Sequence, residues 1–198
     1  MTRIFERIDK LPDWAQPIKR VKGKYIDIAL MHETPRRLCA LASRMSHESW
    51  AKSTEQSDTE LLNRLISMGD DHGKSVRAHQ FFLIIEAPRY WWAECDTYTV
   101  GALSLGSTST MFKEARRLTG EEVVRVKSNI PEGLLQMRAK QYSEPTLARM
   151  ADRRCDHRLP EWEEFATFAR QCLSISNPTY LHAIENQAEE SVAEVQKE

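Results

Sequence analysis

The chain has 198 residues, a length sufficient for one domain with a sizeable hydrophobic core. Its 28 Lys and Arg residues and 29 Asp and Glu residues give a formal net charge of −1, and 41% of the residues are hydrophobic. The charge balance provides no bulk attraction to nucleic-acid polymers or to membrane surfaces, and the hydrophobic content excludes an intrinsically disordered chain.

Neither a membrane span nor a secretion signal is visible in the sequence. No apolar run is long enough to cross a bilayer, and the N-terminal MTRIFERIDK lacks the apolar centre of a signal peptide. The cysteines at 39, 95, 155 and 172 include no CxxC pair, which favours reduced thiols. Cys155-Asp156-His157 has no second half at metal-ligand spacing. We therefore expect a cytoplasmic protein with no metal and no membrane partner.

Composition divides the chain into three segments. Residues 1–24 are polar and basic, which predicts an N-terminal arm or an edge segment with a solvated charged face. Residues 25–177 carry the periodic apolar pattern of one folded domain. From Pro178 the chain is acidic and helix-prone, so residues 178–198 are predicted to form a helical tail that frays or packs on a partner chain.

The first half of the domain contains strong local signals. Tyr25–Met31 predicts a strand, and Thr34 as N-cap with Pro35 at the first helical position predicts a helix to about Trp50. Ser57 and Glu60 form a candidate capping box for a leucine-rich helix that Gly69 would end.

A continuous apolar run, His79–Ala87, predicts a strand that is covered on both faces and ended by Pro88. An aromatic helix start follows at 89–92, and a hydroxyl-rich loop at 101–110. A guanidinium, flat aromatic faces and a Gly/Ser loop suit a nucleotide or anion pocket. An ordinary core strand with a polar turn explains the same residues about equally well.

The second half is predicted to be helical. Helices are expected over 111–118, ending near Gly120, from Pro131 onward, over 146–154, and from Pro160 onward with one apolar face. Arg149, Arg153, Arg154 and Arg158 form a local basic cluster, a candidate phosphate site that Asp152 and Asp156 could neutralise. The fold class is therefore α+β, with a small central mixed or antiparallel sheet flanked by several helices.

Over residues 25–175, roughly, the order of segments resembles the flavin-dependent thymidylate synthases. IDIALMHETPRRLCALASRMS resembles the family's opening strand, turn and Arg-containing helix, and LLNRLISMGDDHGKSV places His72 and Ser75 at its His/Ser turn. Pro88-Arg89 falls on the family's Ser-Arg, Trp92 on an aromatic position and Glu94 on a Gln.

The family's signature motifs are matched in position more than in residue type. Thr97-Tyr98-Thr99 falls on the Arg-His-Arg signature and Ser107 on the Ser that follows it, while Arg153 falls on the late-helix Arg that orients the pyrimidine of dUMP. The Thr-Tyr-Thr replacement removes two cations and an imidazole, and a Thr hydroxyl cannot replace the charge. The family's Asn-x-Arg maps near residues 142–144, so that flavin contact is also lost.

The resemblance implies an α+β homotetramer that binds FAD and methylates dUMP reductively, with NADPH and methylenetetrahydrofolate as co-substrates. It assigns the catalytic role to Arg153, nucleotide contacts to Glu94, Ser107, Ser109 and Arg153, and flavin contacts to His72, Ser75, Arg89 and Tyr98. Arg89 has an alternative, because nearby carboxylates could pair with it. The loss of the signature cations favours a rival, a non-catalytic nucleotide-binding or assembly protein that kept the fold and lost the flavin.

Overall fold

The computed structural model describes residues 3–69 and 71–176, so the predicted tail, residues 178–198, lies outside the described residues. Short 3-10 turns join the main elements. These elements are β1 (Lys19–Lys22), β2 (Asp27–Glu33), α1 (Arg37–Arg44), α2 (Glu55–Ser67), β3 (Gln80–Pro88), α3 (Arg89–Cys95), β4 (Ala102–Ser107), α4 (Thr110–Glu114), α5 (Gly120–Ser128), β5 (Leu135–Ser143), α6 (Glu144–Arg153) and α7 (Pro160–Ser176).

The five strands form one antiparallel sheet in the order β1-β2-β3-β5-β4. The predicted apolar strand is the central one, β3, which pairs with β2 on one side and β5 on the other. The expected α+β fold with helices flanking a small sheet is confirmed. Within the described residues, no helix combines the length and apolar character needed to cross a bilayer.

The main core lies between one face of the sheet and helices α3, α6 and α7. Alternate residues of β3 are fully buried, as a strand with one face in the core requires: Phe81, Leu83, Ile85 and Ala87. Trp91 of α3 and Trp162 of α7 pack with their ring centroids 4.8 Å apart. The apolar face predicted for the helix after Pro160 is therefore confirmed as core.

A smaller core lies beside the first, between α1, α2 and the turn before β3. Cys39, Leu62 and Val76 are buried there. The capping box of α2 uses Thr54 and Ser57 rather than the predicted Ser57 and Glu60, because the helix begins three residues earlier in register. Gly69 follows α2 with φ +97°, as expected for a helix end.

The predicted helix cap at Thr34 is wrong. Thr34 still belongs to the sheet edge, where its hydroxyl donates to the carbonyl of Ala78 and accepts from the amide of Gln80. α1 begins only at Arg37 and ends at Arg44 instead of Trp50, and 3-10 turns continue the chain.

Three predictions in the second half are also wrong. Pro131 opens a short turn that leads into strand β5, not a helix, and the hydroxyl-rich loop contains strand β4. Gly120 begins α5 rather than ending a helix. The sequence does not predict β5, because the positions that face the core include Arg138 and Lys140. Their charged groups pair with Asp96 at the edge of the sheet, and their aliphatic stems lie among core side chains.

The N-terminal segment is joined to the domain. β1 is an edge strand, and Phe5 and Ile8 are 2% and 4% exposed. Arg3 pairs with buried Glu161, with Nη1 2.7 Å from the carboxylate, and Arg7 and Arg20 pair with the buried carboxylates of β3 and β2. The sequence allowed either an arm or an edge segment for residues 1–24, and residues 19–22 form an edge strand.

Three carboxylates that accept hydrogen bonds from neighbouring side chains are expected to make the stability of the protein depend on pH. Burial alone would raise the pKa of Asp58, Glu144 and Asp96, but hydrogen bonds from neighbouring side chains outweigh it and lower all three. We expect the free energy of unfolding to decrease as pH falls below about 4, because the unfolded carboxyls protonate near 3.8 to 4.5 while the folded ones remain ionised. Urea titrations at pH 7, 5, 4 and 3 measure this.

Glu86 acts in the opposite sense, because burial raises its pKa, but it is one group against three. A free energy of unfolding that stays constant or increases between pH 5 and pH 3 would contradict the assignment.

Candidate functional site

A basic cleft lies between residues 97–100, which follow α3, and the C-terminal end of α6. Its volume is about 460 Å³, and we call it the arginine cleft. Arg149 and Arg153 are four residues apart on α6, so one helix face presents both side chains. The full lining is Thr97, Tyr98, Thr99, Val100, Arg149, Arg153 and Arg154.

Arg154 is held in a fixed position at the wall of the cleft. Its Nε donates to the Tyr98 hydroxyl at 2.9 Å, and its Nη1 donates to Glu94 Oε2 at 3.2 Å. The guanidinium lies 4.7 Å from the centre of the Trp162 ring, whose indole N–H also donates to Glu94. These contacts pre-organise Arg154 and identify Glu94 as its anchor.

Arg153 differs from Arg154 in being exposed and in having no hydrogen-bond or ion-pair partner among the described residues. Its guanidinium is therefore available to a ligand. Three guanidinium groups at one cleft, near the hydroxyls of Thr97 and Thr99, provide charge-assisted donors for a phosphate or for a developing negative charge.

A second cavity, of about 620 Å³, lies between α1, α2 and the turn at 71–75, and we call it the basic pocket. Gly69 makes this turn possible, because its carbonyl accepts from the amides of His72 and Gly73. Its polar lining includes one carboxylate, that of Asp71. The other polar side chains of the lining are those of Ser43, Ser46, His47, Arg64, His72, Lys74 and Ser75. The Ser43 and Ser75 hydroxyls are 2.7 Å apart.

The donor set of the basic pocket fits the diphosphate of a dinucleotide cofactor such as FAD. Arg64 and Lys74 supply positive charge, and the serine hydroxyls supply neutral donors. His72 and Ser75, two of the predicted flavin ligands, both line it. Tyr98, a third, lies in the arginine cleft.

The remaining predicted residues lie apart from these two cavities. Arg89 lines neither of them, since its guanidinium faces the 130–132 turn and lies 3.4 Å from Glu132. Ser107 is exposed on β4, opposite Arg138. Ser109 caps α4, accepting from the amide of Phe112 at 3.4 Å. Among the residues that the structure describes, no three His, Cys, Asp or Glu side chains converge as metal ligands.

Sequence reasoning identified the arginine cluster of α6 but did not identify Arg64, Lys74 and His47 as neighbours of His72. The cations of the basic pocket come from three separate segments, and only the packing of α1 on α2 brings them together. The sequence feature that could have identified this pocket is the high frequency of basic and hydroxyl-bearing residues on both sides of Gly69.

No protein-family model and no curated protein matches the chain. Solved structures do match it. One is thymidylate synthase X (ThyX) from Helicobacter pylori with FAD and dUMP, with a TM-score of 0.60 and 14% identity, covering 81% of this chain and 97% of that one. A second structure of the flavin-dependent enzyme from the same organism, also with FAD and dUMP, has a TM-score of 0.58 and 16% identity, covering 79% and 96%.

A third match is the UMP/dUMP methylase PolB from Streptomyces cacaoi bound with 5-Br dUMP. Its TM-score is 0.60 at 12% identity, and the alignment covers 81% of this chain and 95% of that one. Sequence identities this low support a shared fold but do not establish a shared chemical activity. The chain has the fold of the flavin-dependent thymidylate synthases.

Proposed function

We propose that the chain is a flavin-dependent enzyme that modifies dUMP or a related pyrimidine nucleotide. The reaction is reductive methylation or a related one-carbon transfer, with NADPH and methylenetetrahydrofolate as co-substrates. The observation that carries the proposal is the arginine cleft, a pre-organised cationic site in a fold whose solved examples include structures with bound dUMP.

Within this proposal the arginines have separate roles. Arg149 binds the phosphate, and the exposed Arg153 stabilises negative charge that develops on the pyrimidine. Arg154, held by Glu94 and Tyr98, forms the rigid wall against which the nucleotide lies. Such catalysis needs no protein nucleophile, because it relies on positioning and on charge stabilisation.

The basic pocket is the proposed flavin site. His72 and Ser75 contact the cofactor, and Arg64 and Lys74 neutralise its diphosphate. When bound, the flavin supplies hydride chemistry that no side chain can supply. The proposal also includes a cytoplasmic homotetramer, as the family resemblance implies.

A second candidate function is favoured by one observation. Thr97 and Thr99 carry no charge, and the Tyr98 hydroxyl is already engaged by Arg154, so the segment at the family's Arg-His-Arg position provides no cation for a flavin. A nucleotide-binding protein without catalytic activity would need only the arginine cleft. Nucleotide binding is therefore common to both functions, and flavin binding distinguishes them.

Arg153→Ala tests nucleotide binding. We expect the free energy of dUMP binding to weaken by about 1.5–3 kcal/mol, the size of a hydrogen bond to a charged group, measured by isothermal titration calorimetry. Arg158→Ala is the matched control, because Arg158 is an exposed arginine of the same basic cluster that does not line the cleft. Equal affinities of both variants and the parent chain would remove Arg153 from the site.

A further inference from the structure

Four charged side chains form a connected group at the start of β3, in which His79, Glu144 and Arg36 are buried and Glu33 is 21% exposed. His79, which precedes β3, is completely buried, and its two ring nitrogens contact two different carboxylates. Nδ1 is 2.6 Å from Glu144 Oε2, and Nε2 is 2.8 Å from Glu33 Oε1. Arg36 donates to both oxygens of Glu144, at 2.9 Å and 3.2 Å.

The geometry favours the charged form of His79. A neutral imidazole has one N–H and one lone pair, so only the imidazolium can donate to a carboxylate at each nitrogen. With His79 protonated, two cations balance two anions, and the buried group is electrically neutral. Burial alone would lower the pKa of His79, but the hydrogen bonds to Glu144 and Glu33 raise it.

The group connects the elements that form the two cavities. Arg36 directly precedes α1, which supplies Ser43 to the basic pocket, and the 3-10 turn that follows α1 supplies Ser46. Glu144 is the first residue of α6, which carries Arg149 and Arg153 to the arginine cleft. The backbone adds a further link, because the amide of Glu144 donates to the carbonyl of His79 at 2.9 Å.

We propose that Glu144 and His79 are positioning residues that hold α1 and α6, and therefore both cavities, in the arrangement that binds ligands. Loss of the His79 proton leaves the ring with one N–H, so one of the two carboxylates loses its hydrogen bond to the ring and the charge balance of the group is lost. This loosens the starts of α1 and α6, which Arg36 alone then joins through Glu144. The identity of the ligands, dUMP and FAD, rests on the proposed function. The coupling between the two helices rests on the structure alone.

The charged groups that act on His79 or on its partner Glu144 are Glu144 of α6, Glu33 of β2 and Arg36 ahead of α1. The nearby Cys39 thiol of α1 is titratable, and burial raises its pKa above its ordinary value of 9.0. Asn63 of α2 accepts from Arg36 at 3.5 Å and is neutral. His79 is the group of this set whose ordinary pKa, 6.5, lies nearest to neutral pH, and the hydrogen bonds to Glu144 and Glu33 raise it.

The first test follows the protein without ligand. Amide resonances of Ser43, Ser46, Arg149 and Arg153 are recorded by NMR from pH 6 to 8.5, together with the ring resonances of His79. We expect all four amides to show a transition at the midpoint of His79. That transition disappears in His79→Gln and persists in His32→Gln, since His32 is exposed.

Two results would overturn the proposal. One is a titrating His79 with no matching transition at the cavity residues, and the other is a transition at the cavity residues that keeps, in His79→Gln, the midpoint measured for His79 in the parent chain. If His79→Gln fails to fold, Glu33→Gln replaces it. Removing one of the two carboxylates that stabilise the imidazolium should then move the midpoint to lower pH, and an unmoved midpoint would equally refute the role.

The second test measures affinity. For the parent chain we expect the dissociation constants of dUMP and FAD both to increase by roughly three- to tenfold between pH 6.5 and 8.5, the range that a positioning network commands. We expect a smaller change in His79→Gln. A parent chain that binds neither ligand at pH 6.5 refutes the proposed function, and the NMR transitions then decide the positioning role independently.

Discussion

Replacing Phe5 by alanine is expected to lower the free energy of unfolding by about 3–5 kcal/mol, the usual cost of truncating a buried aromatic residue. Phe5 is 2% exposed, although it lies in a polar, basic segment. The loss is large against the total stability of a domain of this size, which is about 5–15 kcal/mol. Urea unfolding followed by circular dichroism measures it.

Trp14→Ala is the matched control, because Trp14 belongs to the same segment and is 88% exposed. We expect its effect to stay within about 0.5 kcal/mol, as for other surface substitutions. Equal stability of the two variants would show that residues 3–18 do not pack on the domain. It would also contradict the ion pairs of Arg3 and Arg7.

Asp58→Ala is expected to be about as destabilising, by about 3–5 kcal/mol, because it leaves a buried cation without its partner. Asp58 Oδ1 accepts from Arg44 Nε at 2.9 Å, and the two side chains are 2% and 8% exposed. The pair joins α1 to α2, so the variant should also weaken binding at the basic pocket. Thermal and urea unfolding test the first effect, and titration with FAD tests the second.

The control for Asp58→Ala is the exposed pair between Lys10 and Glu6, whose side chains are 71% and 60% exposed. Glu6→Ala should change the free energy of unfolding by less than about 1 kcal/mol, as is usual for surface ion pairs. A cost for Asp58→Ala as small as this would show that Arg44 finds another partner or reaches solvent.

The fold could be predicted where apolar residues dominate an element. β3 carries five consecutive apolar residues, and α7 places Trp162, Phe165 and Phe168 on one face, so both were found with nearly the correct boundaries. α2 was found as well, since its leucine pattern ends at a glycine. In each case burial of the pattern is itself what stabilises the element.

β5 could not be predicted, because the residues that decide its structure are contributed by its neighbours. Its sequence, LQMRAKQYS, lacks a clear apolar alternation. Arg138 and Lys140 are accommodated on the core side by partners that include the carboxylate of Asp96 and the ring of Trp92. Such partners come from tertiary structure, which no local pattern encodes.

The candidate site was predictable in part for the same reason. Arg149, Arg153 and Arg154 are close in sequence, so one helix assembles them and the cluster was visible. The basic pocket draws on α1, α2 and the turn after α2, and its cations Arg64 and Lys74 were not predicted as site residues. The His79 group joins four segments, and its members were not recognisable until the fold brought them together.

The most direct test of the proposed enzyme is whether the purified chain retains flavin. The protein is incubated with excess FAD and desalted, and its absorbance spectrum is recorded alongside circular dichroism to confirm folding. A flavin-dependent enzyme predicts flavin bands at close to one FAD per chain, with Lys74→Ala retaining less. A folded protein that retains no FAD would contradict the flavoenzyme and leave the nucleotide-binding protein without catalytic activity as the function of this fold.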